Sequence, residues 1–165
     1  MLYCAEYQSP VGEMYMLGDG RSLTELDFVE VEGKRLTVGP EVKFDAALPV
    51  FDSVRRWLDG YFQGSCPDFM PPLFLSGTPF QRVVWDILSR IPYGTTVSYG
   101  DIAAEVANRL GKKRMSAQAV GGAVGHNPIA IIVPCHRVVG SDGSLTGYAG
   151  GLWRKKYLLE LEGKR

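Results

Sequence analysis

The stretch Ser98–Val124, SYGDIAAEVANRLGKKRMSAQAVGGAV, decides the architecture of the second half of this chain. Ser98 caps a helix, with Asp101 three residues on to complete the cap. Ile102, Ala103, Val106, Ala107 and Leu110 recur on one face, and Gly111 is the expected stop. A basic turn follows, Lys112-Lys113-Arg114. Ser116 then caps a short helix, Ala117–Val124, that is almost bare of side chains. Two helices joined by a turn form a helix-turn-helix. Gly121 and Gly122 each destabilise the second helix by about 1 kcal/mol relative to Ala. That cost is accepted where something must come close to a backbone. Gln118 is the only polar side chain offered for reading bases. Two readings stay open at this point: close, sequence-neutral approach to DNA, or tight packing against another protein element.

Upstream, Thr78-Pro79-Phe80-Gln81 is a capping box with proline at the first helical position. Phe80, Val83, Val84, Ile87, Leu88 and Ile91 continue as one apolar face until Pro92-Tyr93-Gly94. The stretch from Cys66-Pro67 through Pro71-Pro72 to Gly77 is the natural linker. Residues 1–76 therefore form an N-terminal support domain and residues 77–165 a C-terminal one. The first domain reads as strands at 2–7, 13–18 and about 23–31, with Asp19-Gly20 as a hairpin turn. A helix at about 47–62 follows, with Leu48, Phe51, Val54, Leu58, Tyr61 and Phe62 at helical spacing. The fold class is α+β: a small antiparallel sheet with a helix, then a mainly helical domain.

With 165 residues and 45% hydrophobic composition, the chain can bury a proper core. It holds no 18-residue apolar run, so no membrane partner is expected. The first residues show no basic, apolar leader, and the location expected is cytoplasmic. Cys4, Cys66 and Cys135 are an odd, widely spaced set, which fits a reducing compartment. With only His126 and His136 and no CxxC, no metal site is expected. The net charge of zero hides an asymmetry: residues 1–76 carry −6 and residues 77–165 carry +6. The excess suits a polyanion partner for the second half, or an attraction between the halves.

The chemistry centres on Pro134-Cys135-His136-Arg137-Val138. It follows Ile129-Ala130-Ile131-Ile132-Val133, which reads as a buried strand. A free thiol is only about 3% thiolate at pH 7, and a neighbouring imidazole can raise that fraction by taking the proton. On these two residues alone, a small buried hydrophobe is the commoner outcome. Downstream lie a turn, Val138–Gly143, a glycine-rich loop, Thr146–Gly151, and a final helix at about 152–162 carrying Leu152, Leu158, Leu159 and Leu161.

From Thr78 to Gly163 the chain resembles the O6-alkylguanine-DNA alkyltransferases. The resemblance rests on Gly77–Gln81, Val97–Gly100, Ala119–Ala123, Asn127-Pro128, Ile132–Val138 and Tyr148–Leu152. It implies a ribonuclease-H-like first domain and a second domain that takes double-stranded DNA containing O6-alkylguanine. The protein is expected to act as a monomer without cofactor. A flipped-out guanine would lose its alkyl group to Cys135, once per molecule. His136 would take the thiol proton through a water, and Glu162 would orient His136. Asn127 would be the hinge between the DNA-binding turn and the active-site loop. Tyr99 would donate toward guanine N3. Pro134, Val138, Tyr148 and Gly150 would line the base pocket, and the Ala149 amide would face O6. Arg137 would brace the site. Ser116, Gln118, Ala119, Gly121 and Gly122 would meet the minor groove.

Two departures stand out. The family commonly places an arginine finger on the recognition helix, where this chain has Gln118. The turn Ala107–Met115 is also longer and more basic, so that Lys112, Lys113 and Arg114 either reach phosphates or form a solvated loop. Trp153 is either a lid on the pocket or packing. Two other activities fit parts of the pattern: a lesion sensor related to the family, disfavoured because Cys135 is present, and a Cys-His hydrolase.

Overall fold

Seven-residue β1 (Tyr3–Ser9) and β2 (Gly12–Gly18) pair antiparallel, and β3 (Leu23–Phe28) continues the meander. Alternation decides this: Met14, Met16, Leu26 and Phe28 turn one face into the core. The expected Asp19-Gly20 turn is built as its chemistry dictates. The Asp19 carboxylate accepts from the amides of Arg21 and Ser22 at 2.9 and 2.8 Å, and Gly20 takes φ 98°. The computed structural model describes residues 1–163. It adds elements too short for periodicity to reveal. These are a hairpin of β4 (Glu30–Val31) with β5 (Lys34–Arg35), and β6 (Lys43–Phe44), which joins β1 in parallel as a fourth strand. Helix α1 (Pro49–Phe62) lays Phe51, Val54, Leu58 and Tyr61 into the core. Its end is a Schellman turn at Gly64, where Ser65 N–H donates to Gly60 O at 3.1 Å. Part of the expected linker is not a linker: Leu73 bridges Leu23, with Leu23 N–H donating to Pro72 O at 2.8 Å. The chain divides into two compact units, Met1–Leu75 and Ser76–Arg165.

The second unit is helical. Helix α2 (Pro79–Ser89) starts at the Thr78/Gln81 capping box. The pair β7 (Val97–Ser98) and β8 (Val138–Val139) is parallel, and α3 (Tyr99–Arg109) starts at the Ser98/Asp101 box. Gly111 ends α3 with φ 67°, while Lys112 N–H donates to Ala107 O at 2.8 Å. Helix α4 (Ala117–Gly125) is capped by Ser116 and buries Val120, Ala123 and Val124. Buried Trp85 of α2 fixes α4 through its indole N–H, which donates to Ala123 O at 2.9 Å. Helices α3 and α4 are the expected helix-turn-helix.

One expectation is corrected. Ile129–Val133 is buried but is not a strand. Ile132 N–H bonds Ala130 O at 2.7 Å and Val133 N–H bonds Ile129 O at 3.2 Å, with Ile131 at φ 69°. An apolar run reports burial and leaves the conformation open; here the chain satisfies its own backbone in a coiled turn. In α5 (Leu152–Leu161), Leu158 and Leu159 are buried but Leu152 is 49% exposed, and Arg154 and Lys155 point inward. The inward charges meet loop carbonyls, which hydrophobic periodicity cannot register.

Candidate active site

The position of Cys135 is set through Asn127. Its amide Nδ2 donates to Val133 O at 2.8 Å, and its Oδ1 accepts from Ile129 N–H at 3.0 Å. One side chain thus closes the coiled turn at both ends and links it to the last turn of α4. The chain leaves that turn through buried Pro134 into a single 3₁₀ turn, Cys135–Arg137. Cys135 is partly exposed, whereas His136 is fully buried. The next residues, Val138 and Val139, are pinned by the ladder to Val97 and Ser98.

Beneath the cysteine lies a buried ionic cluster. His136 Nε2 sits 2.7 Å from Glu162 Oε2, with both side chains inaccessible. Arg137 Nε and Nη2 donate to the two Glu162 oxygens at 2.8 and 3.1 Å, and Nη1 donates to Ile91 O at 2.7 Å. Gly94 N–H also reaches Glu162 Oε1 at 3.2 Å. A carboxylate so surrounded is an acceptor only, so the proton between it and His136 belongs on Nε2. That leaves the lone pair on Nδ1. Burial pushes the His136 pKa below its ordinary value, and the Glu162 bond only partly opposes it. The imidazole is therefore neutral near pH 7 and able to accept a proton.

The glycine-rich loop is held from two sides. The Tyr99 hydroxyl donates to Thr146 O and Gly147 O, both at 3.1 Å. Burial, and then the charge at Cys135, raises the Tyr99 pKa, so the phenol keeps its proton. Lys155 Nζ donates to the same two carbonyls at 2.9 and 3.2 Å. Arg154 Nη1 donates to Gly150 O at 3.0 Å and lies 4.8 Å over the Trp153 ring. Trp153 itself is 57% exposed. Tyr148 is half-buried, Ala149 exposed, and Gly150 and Val138 buried. Sequence reasoning passed over Arg154 and Lys155. The only available signal was two basic residues at the positions where an amphipathic helix turns inward.

On α4, Ser116, Gln118, Ala119 and Gly122 are exposed. A Cβ added at Gly121 or Gly122 would meet nothing within 4 Å. A side chain would find open space at both positions, so no described element of this unit requires a glycine there. Lys112, Lys113 and Arg114 are exposed in the turn before the helix. Among the described residues no His, Cys, Asp and Glu side chains gather as a metal site, and no helix is long and apolar enough to cross a membrane.

Residues 2–74 match the family model of the 6-O-methylguanine DNA methyltransferase ribonuclease-like domain, and residues 79–164 match that of its DNA binding domain. The chain is 43% identical to the methylated-DNA–protein-cysteine methyltransferase of Haemophilus influenzae, over 98% of this chain and 86% of the relative. It is 45% identical to that of Mycobacterium leprae, over 98% and 93%. Among solved structures it is similar to Mycobacterium tuberculosis OGT in complex with DNA, at 44% identity and TM-score 0.83, covering 97% of this chain and 92% of that one. Both halves, the Cys-His-Arg turn and its buried glutamate therefore lead to one statement: this chain belongs to the methylated-DNA–protein-cysteine methyltransferase family.

Proposed function

We propose that this protein repairs double-stranded DNA by moving a methyl or alkyl group from O6 of guanine onto Cys135, once per molecule. The observation that carries this reading is the buried His136–Glu162 pair directly after a partly exposed cysteine. The thiol proton goes through a water to His136 Nδ1. The thiolate then attacks the alkyl carbon in line; the S–C bond forms as the C–O6 bond breaks. Guanine leaves with the electron pair and takes a proton at N3 from Tyr99, whose hydroxyl exchanges the loop carbonyls for the base; the proton held on His136 returns through water to Tyr99, so both residues end neutral. A thioether is a poor leaving group, so the sulfur is not regenerated. The displacement needs no other reactant, and no cofactor is invoked.

The target base must leave the stack for its O6 substituent to be reached. The open backbone at Gly121 and Gly122 suits close approach of α4 to the minor groove, with Ser116, Gln118 and Ala119 alongside and Lys112–Arg114 on phosphates. Pro134, Val138, Tyr148 and Gly150 then enclose the base, and the Ala149 amide faces O6. Asn127 transmits movement of α4 to the turn below Cys135. The second unit binds DNA and accepts the alkyl group; the first supports it. We place the protein in the cytoplasm as a monomer, consistent with cysteines that form no disulfide among the described residues.

The deciding experiment uses a duplex with one radiolabelled O6-methylguanine and mass spectrometry of the protein. Label on Cys135, saturating at one equivalent and lost in Cys135→Ala, supports the reading. Tight binding without transfer identifies a lesion sensor, and absence of both refutes the assignment.

A further inference from the structure

His126 ends helix α4, and its ring folds back onto that helix. Nδ1 lies 2.7 Å from Gly122 O, the carbonyl that also accepts from the His126 backbone N–H at 3.1 Å. A carbonyl oxygen only accepts, so Nδ1 carries the hydrogen. The tautomer is thereby fixed, and the lone pair of the neutral ring sits on Nε2. The residue is exposed, and Nε2 makes no hydrogen bond among the described residues.

Gln118, Gly122 and His126 recur at every fourth position, which puts them on one stripe of the helix. All three are exposed, whereas Val120, Ala123 and Val124 are buried. A Cβ added at Gly122 would meet nothing within 4 Å. The stripe is therefore a bare step of backbone between two polar side chains. The two differ in kind. The Gln118 amide both donates and accepts, so it suits any base pair. Neutral His126 offers an acceptor alone at Nε2.

The minor groove gives such an acceptor one partner. Adenine N3 and thymine O2 are acceptors, and the 2-amino group of guanine is the groove's base donor. Against an A·T pair the Nε2 lone pair meets another lone pair. Against a G·C pair it meets an N–H. From Gln118 to His126 the helix rises about 12 Å, which spans at most about four base-pair steps.

We propose that His126 is a specificity-determining residue: its Nε2 accepts a hydrogen bond from the 2-amino group of a guanine within about four base pairs of the extruded base, so that O6-alkylguanine is recognised best among G·C pairs. The inference rests on α4 entering the minor groove.

The test is a binding titration of the full chain carrying Cys135→Ala, which stops transfer, with duplexes holding one O6-methylguanine among G·C pairs. Hypoxanthine replaces one guanine at a time, on either strand, over about four pairs on each side of the lesion. It removes the 2-amino group and leaves the major-groove edge unchanged. Measurements are made at pH 8, above the ordinary imidazole range. One position should weaken binding about fivefold, the worth of one hydrogen bond. An adenine there should bind as weakly, and 2,6-diaminopurine, which returns the amino group, should restore affinity.

His126→Ala should bind the parent duplex about fivefold more weakly and lose the difference between guanine and hypoxanthine. If His126 serves only to close the end of α4, its loss weakens all duplexes alike and leaves that difference in place. That outcome overturns the proposal, as does a scan with no sensitive position. His126→Lys, which places a donor alone at the same point, should also lose the preference, and it decides the matter should the alanine variant not fold. Because binding is read, failure of the alkyl-transfer reading leaves the test intact. Failure to bind any of the duplexes would refute the DNA reading of α4 itself, and this inference with it.

Discussion

His136 Nε2 and Glu162 Oε2 lie 2.7 Å apart with neither side chain reachable by water, and Arg137 holds the same carboxylate through both of its oxygens. Replacing Glu162 by Gln removes the charge that fixes the imidazole's proton on Nε2 and leaves the Arg137 guanidinium without its partner. Breaking a buried pair in this way costs about 3–5 kcal/mol. Glu162→Gln should lower the urea midpoint and slow single-turnover alkyl transfer by about a hundredfold. A folded variant with wild-type transfer would remove Glu162 from the mechanism.

Acid should destabilise the fold through His136. Its folded pKa lies below the ordinary value because of burial. Between those two pKa values the unfolded chain binds the extra proton, so stability is lost as pH falls below about 6.5. The slope from this group is at most about 1.4 kcal/mol per pH unit. Denaturation between pH 7 and 5 should show His136→Gln losing less stability than the wild type.

Gln118 stands exposed on α4 where the family commonly has arginine. Gln118→Arg adds one positive charge at the proposed DNA face. Binding to an O6-methylguanine duplex should tighten, and the slope of log K against log salt should steepen by about one unit. An unchanged slope would place Gln118 away from the DNA.

Gly122 is exposed in α4, and an added Cβ meets nothing within 4 Å. Gly122→Ala should therefore stabilise the helix by about 1 kcal/mol. The same methyl would stand off a DNA backbone and weaken duplex binding. Opposite signs in a melting curve and a binding titration are expected; stabilisation with undiminished binding would show that α4 does not approach DNA closely.

Legibility followed the range of each interaction. Caps, turns and helix faces are local, and Thr78/Gln81, Ser98/Asp101, Ser116 and Gly111 all act as their neighbours in sequence require. The Cys135–His136 adjacency was visible, but its bond to Glu162 spans 26 residues and entered only through family resemblance. Ile129–Val133 was misread because burial and extension give the same apolar run. Lys155 was invisible because its partners are carbonyl oxygens, which every residue carries.

The ladder that joins Val97 to Val138 and Ser98 to Val139 is only two residues long. It nonetheless welds the first turn of α3 to the chain immediately beyond Cys135. A load borne by that helix reaches the sulfur's own backbone within four residues, like a pedal linked directly to its valve. Rigidity is therefore needed at this seam, and the softest part of the machine must lie elsewhere.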